Sequence, residues 1–523
     1  MRVLPHTTEQ MLELRYQPNF TTRLTTVCSF AIAATLATAC GDNSLDPNFA
    51  TCDEATEGLY CEKLQAPFPT SFTVDSKTYT YVDFLTQRDD ISIAAVAMPT
   101  ELDSETVFVQ RSRGHVLFGY QPLAADVTAT VDGYPVELAK FQLPAGRYPT
   151  LVNNGTMVAI QLETAPGTHV LRLHGSYTQA GVIVAPNGDA LVTMPFTDFG
   201  AGNYADRYLP ANIVADRYAM TVNVDWGELP PDAAPVLIAN GDVSTTATTA
   251  TVRYPAWYNA SAIFFLAGTT RSLDERTTEY TSVDGDQRTL VAFQGAFDPT
   301  TQQPFTEAVL QSRANKLFDT SQQFLQRFEG MLGAFPHQWF IANGGGLRYG
   351  LNSMEYAGAT SVGVANIDTF IHEAIHSYIG RSVFPADGDS QWLDEAVDTW
   401  LQVPDGARIQ PADLRLEKRG AANYCTCNGE FGRGMFGEAY RGGVIGHLAY
   451  LLGGETPMLA FLREQHTAHR HGYWTTKSFF EDFEAFANRT DAGGYASRLA
   501  ELGESLRARF ADILWDAACP ETP

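Results

Sequence analysis

The hydrophobic residues of this 523-residue chain follow one period in its first half and another in its second. From about residue 67 to 290 the dominant period is two, and Leu171 and Leu173 alternate with Arg172 and His174. The same alternation runs through the apolar residues Met220, Val222, Val224 and Trp226, and through Val158, Ile160 and Leu162. Such a pattern predicts antiparallel strands with one solvated face. Asp-Gly at 132–133 and Asn-Gly at 240–241 supply hairpin turn chemistry.

Near residue 306 the spacing changes to three and four, in a stripe made of Leu310, Ala314, Leu317, Ser321, Phe324 and Phe328. This stripe predicts a helix that ends close to Gly330 and Gly333. Helical patterns recur around 368–379, 390–402, 438–452 and 477–488. A chain of this length exceeds what one hydrophobic core serves. We therefore predict a multidomain α+β protein, with an N-terminal antiparallel β domain over 67–290 and a mainly α domain over 291–523.

The N-terminal segment has the features of an export signal. An uncharged apolar run spans 24–39 and follows Arg15 and Arg23. It is short for a membrane span and typical of the apolar region of a signal peptide. Its end, L-A-T-A-C-G at 36–41, resembles a bacterial lipoprotein cleavage site. We predict that residues 1–40 form the signal, that Cys40 is lipidated and that 41–66 is a linker. Ordinary signal-peptidase cleavage after Ala39, and a start at Met11, are the alternatives.

Charge and cysteine content narrow the partners and the compartment. The formal net charge of -25 argues against a nucleic-acid partner. We expect export, with the chain either anchored in the bacterial cell envelope or secreted. If Cys28 leaves with the signal and Cys40 carries lipid, five cysteines remain, and these favour disulfides. Cys52 can pair with Cys61, and Cys519 with Cys425 or Cys427. A metal site at 425–427 is the weaker interpretation, because one such pair lacks a second cluster.

The segment H-E-A-I-H at 372–376 carries the strongest chemical signal in the chain. On a helix, residues four apart lie side by side, so His372 and His376 can bind one zinc ion. Glu373 is rotated away from that strip and can act as the general base. We predict a helix capped by Asp368 and ended by Gly380, with a buried isoleucine stripe at positions 367, 371, 375 and 379.

A catalytic zinc keeps three protein ligands and one open position. Eighteen residues separate Glu395 from His376. Glu395 lies on a second predicted helix that Ser390 can cap, with Leu393, Val397 and Trp400 packing against the core. We predict His372, His376 and Glu395 as the ligands of one Zn²⁺ per chain. Asp394 and Asp398 flank the third ligand and can orient one of the histidines.

These motifs resemble the aminopeptidase N family of gluzincin zinc metallopeptidases. W-L-D-E at 392–395 is similar to the family's W-L-N-E, S-M-E-Y at 353–356 to its G-A-M-E-N strand, and A-Y-R-G-G at 439–443 to its Y-E-K-G helix start. In the β half, T-D-F at 197–199 and D-R-Y-L-P at 206–210 follow the family's order. The resemblance covers about 190–490, and implies a thermolysin-like catalytic domain without the large C-terminal helical domain of many members.

Carried to these positions, the resemblance implies further roles. Tyr440 would donate a hydrogen bond to the oxyanion, and Glu355 would hold the α-ammonium group of a peptide substrate. The implied activity is that of an aminopeptidase. The family's asparagine is Tyr356 here, and its second amine-binding residue has no clear counterpart, although Asp198 is a candidate. An endopeptidase or other zinc hydrolase, and a non-catalytic surface-tethered binding module, are therefore the alternatives.

Other histidines carry weaker signals. His466, His469 and His471 lie in H-T-A-H-R-H, which we interpret as a solvated connector rather than a second metal site. His447 follows the Tyr440 motif on a predicted helix, and we expect it in the core or behind the metal site.

Overall fold

In a computed structural model, the described residues are 71–93, 100–120, 127–142, 156–177, 182–184, 190–193, 209–212, 216–260, 262–298, 300–345, 354–363, 366–385, 392–403 and 443–509. The predicted export signal, the linker and all seven cysteines lie outside these residues. Within the part of the chain that is described, no helix combines the length and apolar character needed to cross a bilayer.

The first half of the described chain is built of strands, joined by turns and short irregular connections. In chain order they are β1 (Ser71–Val74), β2 (Lys77–Tyr81), β3 (Asp83–Ser92), β4 (Thr100–Gln110), β5 (Gly114–Phe118), β6 (Thr128–Val131), β7 (Tyr134–Val136), β8 (Leu138–Gln142), β9 (Thr156–Thr164), β10 (Gly167–Tyr177), β11 (Val182–Val184), β12 (Ala190–Thr193), β13 (Ala219–Asp225), β14 (Pro235–Ala239), β15 (Asp242–Thr245), β16 (Thr249–Arg253) and β17 (Phe265–Thr269).

These strands form three sheets. An eight-stranded sheet has the order β15-β16-β13-β3-β4-β10-β6-β7, a five-stranded sheet the order β1-β2-β5-β9-β8, and a four-stranded sheet the order β11-β12-β17-β14. Neighbouring strands are antiparallel except for β3 with β13 and β2 with β5. The strands of each parallel pair are far apart in sequence, so local alternation could not reveal their direction.

The second half adds helices around one mixed sheet. Its elements are β18 (Leu273–Thr281), β19 (Gln287–Gly295), α1 (Glu307–Leu332), β20 (Trp339–Asn343), β21 (Glu355–Tyr356), β22 (Ala359–Gly363), α2 (Ile367–Ile375), β23 (Phe384–Pro385), α3 (Trp392–Gln402), α4 (Gly443–Leu452), α5 (Glu455–Ala468), β24 (Tyr473–Trp474), α6 (Thr476–Leu502) and α7 (Leu506–Arg509). The sheet has the order β18-β19-β20-β22-β21. The predicted domain boundary between residues 290 and 291 falls inside β19.

Two large hydrophobic cores support the two halves. The first is formed by the sheets of the β half, and Phe384 from the second half joins it. The second lies among the helices and includes Leu317, Phe370 and Trp392. A smaller cluster, which includes Phe264 and Tyr356, packs the four-stranded sheet against the mixed sheet. The metal motifs therefore sit on helices that a continuous apolar interior holds in place.

The alternation in the β half predicts burial correctly in most strands. The apolar residues of β13 are buried while its polar residues are not, and Leu171 and Leu173 are buried between exposed neighbours. Asp132 and Gly133 form the two-residue turn between β6 and β7, as predicted. The prediction for Leu162 is wrong, because its side chain is 45% exposed.

The hairpin predicted at Asn240-Gly241 is also wrong, because β14 and β15 belong to different sheets. Asn240 is instead a buried cross-link: its amide donates to the carbonyls of Ala262 and Ala357, each at 2.7 Å, and its side-chain oxygen accepts from the Phe264 amide. Gly241 allows the backbone to approach Arg253, whose carbonyl oxygen would lie 2.7 Å from a Cβ at that position.

The helical predictions hold, with shifted ends. All six residues of the stripe on α1 are buried, and the helix ends at Leu332 before Gly333. The pattern at 477–488 belongs to α6, which runs on to Leu502 with a break in helical geometry at Asp491. The start predicted near 438 lies outside the described residues.

Candidate metal centre

Helix α2 presents both motif histidines from its last turn. Asn366 caps its N-terminus by accepting a hydrogen bond from the Thr369 amide at 3.5 Å, so the prediction that Asp368 is the cap is wrong. The helix ends at Ile375 and His376 follows in helical geometry. The predicted isoleucine stripe is buried toward its C-terminal end but not at its start, where Ile367 is 44% exposed.

Helix α3 brings Glu395 to the two imidazoles. Its buried residues Leu393, Val397 and Trp400 fix its orientation, as predicted. The Nε2 atoms of His372 and His376 are 3.3 Å apart, and Glu395 Oε2 lies 3.4 Å from the first and 3.9 Å from the second. The three side chains that the sequence selected therefore converge on one point.

This arrangement fits one divalent ion. Ligand atoms about 2.1 Å from a tetrahedral Zn²⁺ stand roughly 3.3 Å apart, close to the spacing of the two imidazole nitrogens. Glu395 Oε2 is buried and faces the two imidazole rings. Burial opposes ionisation of Glu395, but the hydrogen bond with His372 and the charges of His376 and Arg381 hold the pKa of this carboxyl below its usual value. A donor set of two imidazoles and one carboxylate suits zinc.

Two buried carboxylates hold the other side of His376. Its Nδ1 lies 2.5 Å from Asp394 Oδ1 and 2.6 Å from Asp398 Oδ2, and all three side chains are almost fully buried. Burial opposes a charged imidazole, yet the two carboxylates outweigh it and raise the pKa of His376 well above its ordinary value. Their oxygens face the proton on Nδ1, and Nε2 faces the cluster. The orienting role expected of these aspartates therefore falls on His376.

The turn after α2 is shaped around Asp394. Gly380 has a φ of 100°, and a Cβ at that position would lie 2.0 Å from Asp394 Oδ1. Only glycine allows this approach. The predicted end of the metal helix at Gly380 is thus a tight turn, four residues beyond His376, that closes over the carboxylate.

Glu373 and Glu355 lie beside the same centre. Both are 7% exposed, and together with His376 they place one polar atom each within 4.8 Å of one another. Burial and then the charge of Glu355 raise the pKa of Glu373 to about 10 in the protein without a cation. The sequence prediction placed these two carboxylates in a substrate cleft, and the structure brings them together next to the histidines.

Arg381 is a site residue that the sequence analysis missed. Its side chain is fully buried, its Nη2 hydrogen-bonds Glu355 Oε1, and its Nη1 lies 3.5 Å from Asp394 Oδ2. The available signal was a cation in the otherwise apolar and small-residue segment Y-I-G-R-S-V-F at 378–384. A charge in such a segment must be exposed or paired, and here it is paired.

The remaining predicted residues divide into three groups. Tyr440 and Asp198 lie outside the described residues. His447 is buried on α4, as expected. The solvated connector predicted around His466 is wrong, because α5 extends to Ala468 and packs His466 against the end of α1, where its Nδ1 contacts the Leu332 carbonyl at 3.1 Å.

Solved structures share this fold. No protein-family model and no curated protein matches the sequence. An M1 zinc metallopeptidase from Deinococcus radiodurans matches with a TM-score of 0.52 and 16% identity, over 80% of this chain and 94% of that one. A two-domain M1 zinc metallopeptidase variant bound to L-arginine gives 0.53 and 16%, over 81% and 93%. Leukotriene A4 hydrolase from Saccharomyces cerevisiae gives 0.57 and 13%, over 84% and 69%.

These likenesses identify the fold class. The chain has the fold of the two-domain M1 metallopeptidases, in which a β-rich N-terminal part precedes a helical part. The predicted fold class is confirmed.

Proposed function

We propose that this protein is a zinc-dependent metallopeptidase, with one Zn²⁺ held by His372, His376 and Glu395. The observation that carries the proposal is the convergence of these three side chains, each of which places a ligand atom within 4.8 Å of the other two. When bound, zinc supplies a Lewis acid that polarises a peptide carbonyl and activates water, and its charge favours the ionised form of Glu373.

The residues around the proposed metal site have separate roles in the reaction. Glu373 takes a proton from the attacking water and returns it to the departing amine, because its buried carboxylate lies beside His376. Asp394 and Asp398 hold His376 in the tautomer that exposes Nε2 to the metal. Tyr440 donates a hydrogen bond to the oxyanion, a role that the sequence resemblance supports.

Peptides are the proposed substrates. A structure with the same fold, an M1 zinc metallopeptidase variant from Deinococcus radiodurans, was solved with a Tyr-Ser-Ala substrate, at 16% identity and a TM-score of 0.52. The proposal takes only the substrate class from that protein. The net charge of this chain argues against nucleic acid as a partner.

Aminopeptidase action is the finer form of the proposal. It is supported by the position of Glu355, buried on β21 beside Glu373, where a carboxylate can receive an α-ammonium group. Cleavage of internal bonds by the same centre, and zinc-dependent hydrolysis of another acyl bond, are the alternatives. A non-catalytic binding module is a further alternative, but such a module would not need a general base.

The test combines zinc analysis with hydrolysis of peptides whose N-terminus is free or acetylated. We expect Glu373→Gln to keep zinc and lower kcat by roughly 10²- to 10⁴-fold, the usual contribution of a general base. Glu481→Gln on α6, which alters an exposed glutamate, is the matched control. Activity that survives removal of zinc by a chelator would refute the proposal, and zinc without hydrolysis of either peptide would favour the binding module.

We also propose that the chain is exported and carries a lipid on Cys40, supported by the apolar run and the L-A-T-A-C-G end of the signal. Fractionation of cells that express the wild type or Cys40→Ser tests this. Membrane association of the wild type and release of the variant are expected. Equal distribution of both proteins would favour the alternative, which is ordinary signal-peptidase cleavage without a lipid.

A further inference from the structure

A buried cation stands between the metal centre and the mixed sheet. Arg381 is fully buried and connects two carboxylates from different elements, Glu355 on β21 and Asp394 on α3. Its Nη1 also donates to the carbonyl of Gly380 at 3.0 Å. The guanidinium is therefore held from three directions, and its position follows from the same turn that closes over Asp394.

The partners of Glu355 differ on its two sides. On one side Glu355 Oε1 accepts a hydrogen bond from Arg381, and on the other a carboxylate oxygen of Glu373 lies within 4.8 Å. An uncompensated buried carboxylate is costly. The ion pair with Arg381 is therefore the main compensation for the charge of Glu355. A ligand that approaches Glu355 thus meets a nearly neutral pair.

This neutrality affects recognition of a peptide N-terminus. A lone carboxylate beside a desolvated cleft attracts an ammonium group strongly, and a guanidinium on the same carboxylate cancels most of that attraction. An α-ammonium would also have to share Glu355 with a donor that is already hydrogen-bonded to it. The discrimination between charged and uncharged N-termini would then be small.

We propose that Arg381 determines specificity by neutralising Glu355, so that the site takes peptides with a blocked or internal N-terminal side about as well as peptides with a free one. This inference rests on the proposed function, because it concerns peptides bound at the same centre. It favours the alternative in which the same centre also accepts blocked peptides and internal bonds over the strict aminopeptidase action proposed above.

The experiment measures binding, so it does not depend on turnover. All proteins carry zinc and the substitution Glu373→Gln, which slows hydrolysis, and calorimetry compares tri-alanine with N-acetyl-tri-alanine. We expect the two affinities of the parent to agree within about tenfold. Adding Arg381→Gln, which keeps a donor near Glu355 and removes the charge, should raise the preference for the free peptide about tenfold or more.

Arg288→Gln is the matched control, because Arg288 is also buried, pairs with Asp284 at 2.8 Å and lies on a different element, β19. It should leave the preference at the parent value. Should Arg381→Gln fail to fold, Glu355→Gln with Arg381→Gln removes both charges together. That variant should again match the parent.

A parent that binds the free peptide more than about a hundredfold tighter than the acetylated one would overturn the inference, as would an unchanged preference in Arg381→Gln. In both cases peptide binding persists and the proposed function stands. If neither peptide binds the zinc-loaded parent, the proposed function itself fails and this inference fails with it.

Discussion

Two segments of this protein are rich in histidine, and the structure treats them in opposite ways. The metal-helix histidines, His372 and His376, aim their Nε2 atoms at one point shared with Glu395. The α5-end histidines, His466, His469 and His471, are directed apart. His466 contacts the Leu332 carbonyl, His469 pairs with Asp482, and His471 contacts the Pro336 carbonyl while stacking on Trp257 at 3.6 Å.

The difference is also electrostatic. His376 lies against two buried carboxylates and its pKa is raised well above the ordinary value, whereas burial away from anions lowers the pKa of His466 to about 4. The first environment attracts cations, and the second keeps an imidazole neutral so that it can donate to a helix-end carbonyl. Histidine density alone therefore says little about metal binding; convergence with carboxylates decides it.

Removal of a metal-helix histidine should give the largest effect. Zinc binding of about 10–16 kcal/mol in protein sites is shared among three or four ligands, so His372→Ala or His376→Ala should weaken zinc affinity roughly a hundred- to a thousandfold. His466→Gln should leave it unchanged. Competition with a chromogenic chelator measures all three. Equal losses in all three variants would remove the distinction between the two segments.

The carboxylates behind His376 should give the next effect. Asp398→Asn keeps the size of the side chain and removes the charge that fixes the imidazole, so zinc affinity should fall about 10- to 100-fold. Asp482→Asn, next to His469, is the control and should have no effect. The same chelator competition applies. Unchanged affinity in Asp398→Asn would mean that Asp394 alone orients His376.

The pH dependence of stability tests the α5-end side of the comparison, through His466. The pKa of His466 lies near 4 in the folded protein and near 6.5 when unfolded, so the unfolded chain takes up the proton first as the pH falls. Stability from this residue is present above about pH 6.5 and is lost toward pH 4. Between pH 7 and 5, wild type should lose about 2 kcal/mol more of its free energy of unfolding than His466→Gln.

Urea unfolding of the metal-free proteins at the two pH values measures that difference. Metal-free samples are needed because zinc itself stabilises the native state in a pH-dependent way. Identical losses in wild type and variant would show that His466 is protonated in the folded state, and the contrast with His376 would disappear.

Local patterns predicted that His372, His376 and Glu395 lie close together, and the described structure has them so. His372 and His376 meet through the pitch of one helix, so their spacing constrains where the two imidazoles lie. Glu395 joins them from α3. The strand alternation succeeded likewise in β10 and β13, where one face is buried. These features depend on neighbours in sequence.

Features set by distant packing could not be predicted in this way. Arg381 is buried because Glu355, on a strand earlier in the chain, and Asp394, on the next helix, both reach it. Asn240 is a cross-link because Ala262 and Ala357 approach it, although its dipeptide is typical of a hairpin. His466 is buried because α5 packs on α1. In each case the deciding partner lies elsewhere in the chain.

The smallest expected effect is that of His469, which tests whether the α5-end histidines act as a group. Its Nε2 lies 3.3 Å from Asp482 Oδ2, and the two side chains are 27% and 40% exposed. Exposed ion pairs contribute about 0–1 kcal/mol, so His469→Ala should change the free energy of unfolding by less than about 1 kcal/mol and leave zinc at one per chain. Urea unfolding and metal analysis give both values. If the three imidazoles are held separately, substitution of one removes only its own contacts. A lower zinc content, or a larger loss of stability, would therefore mean that these three histidines cooperate in a second site.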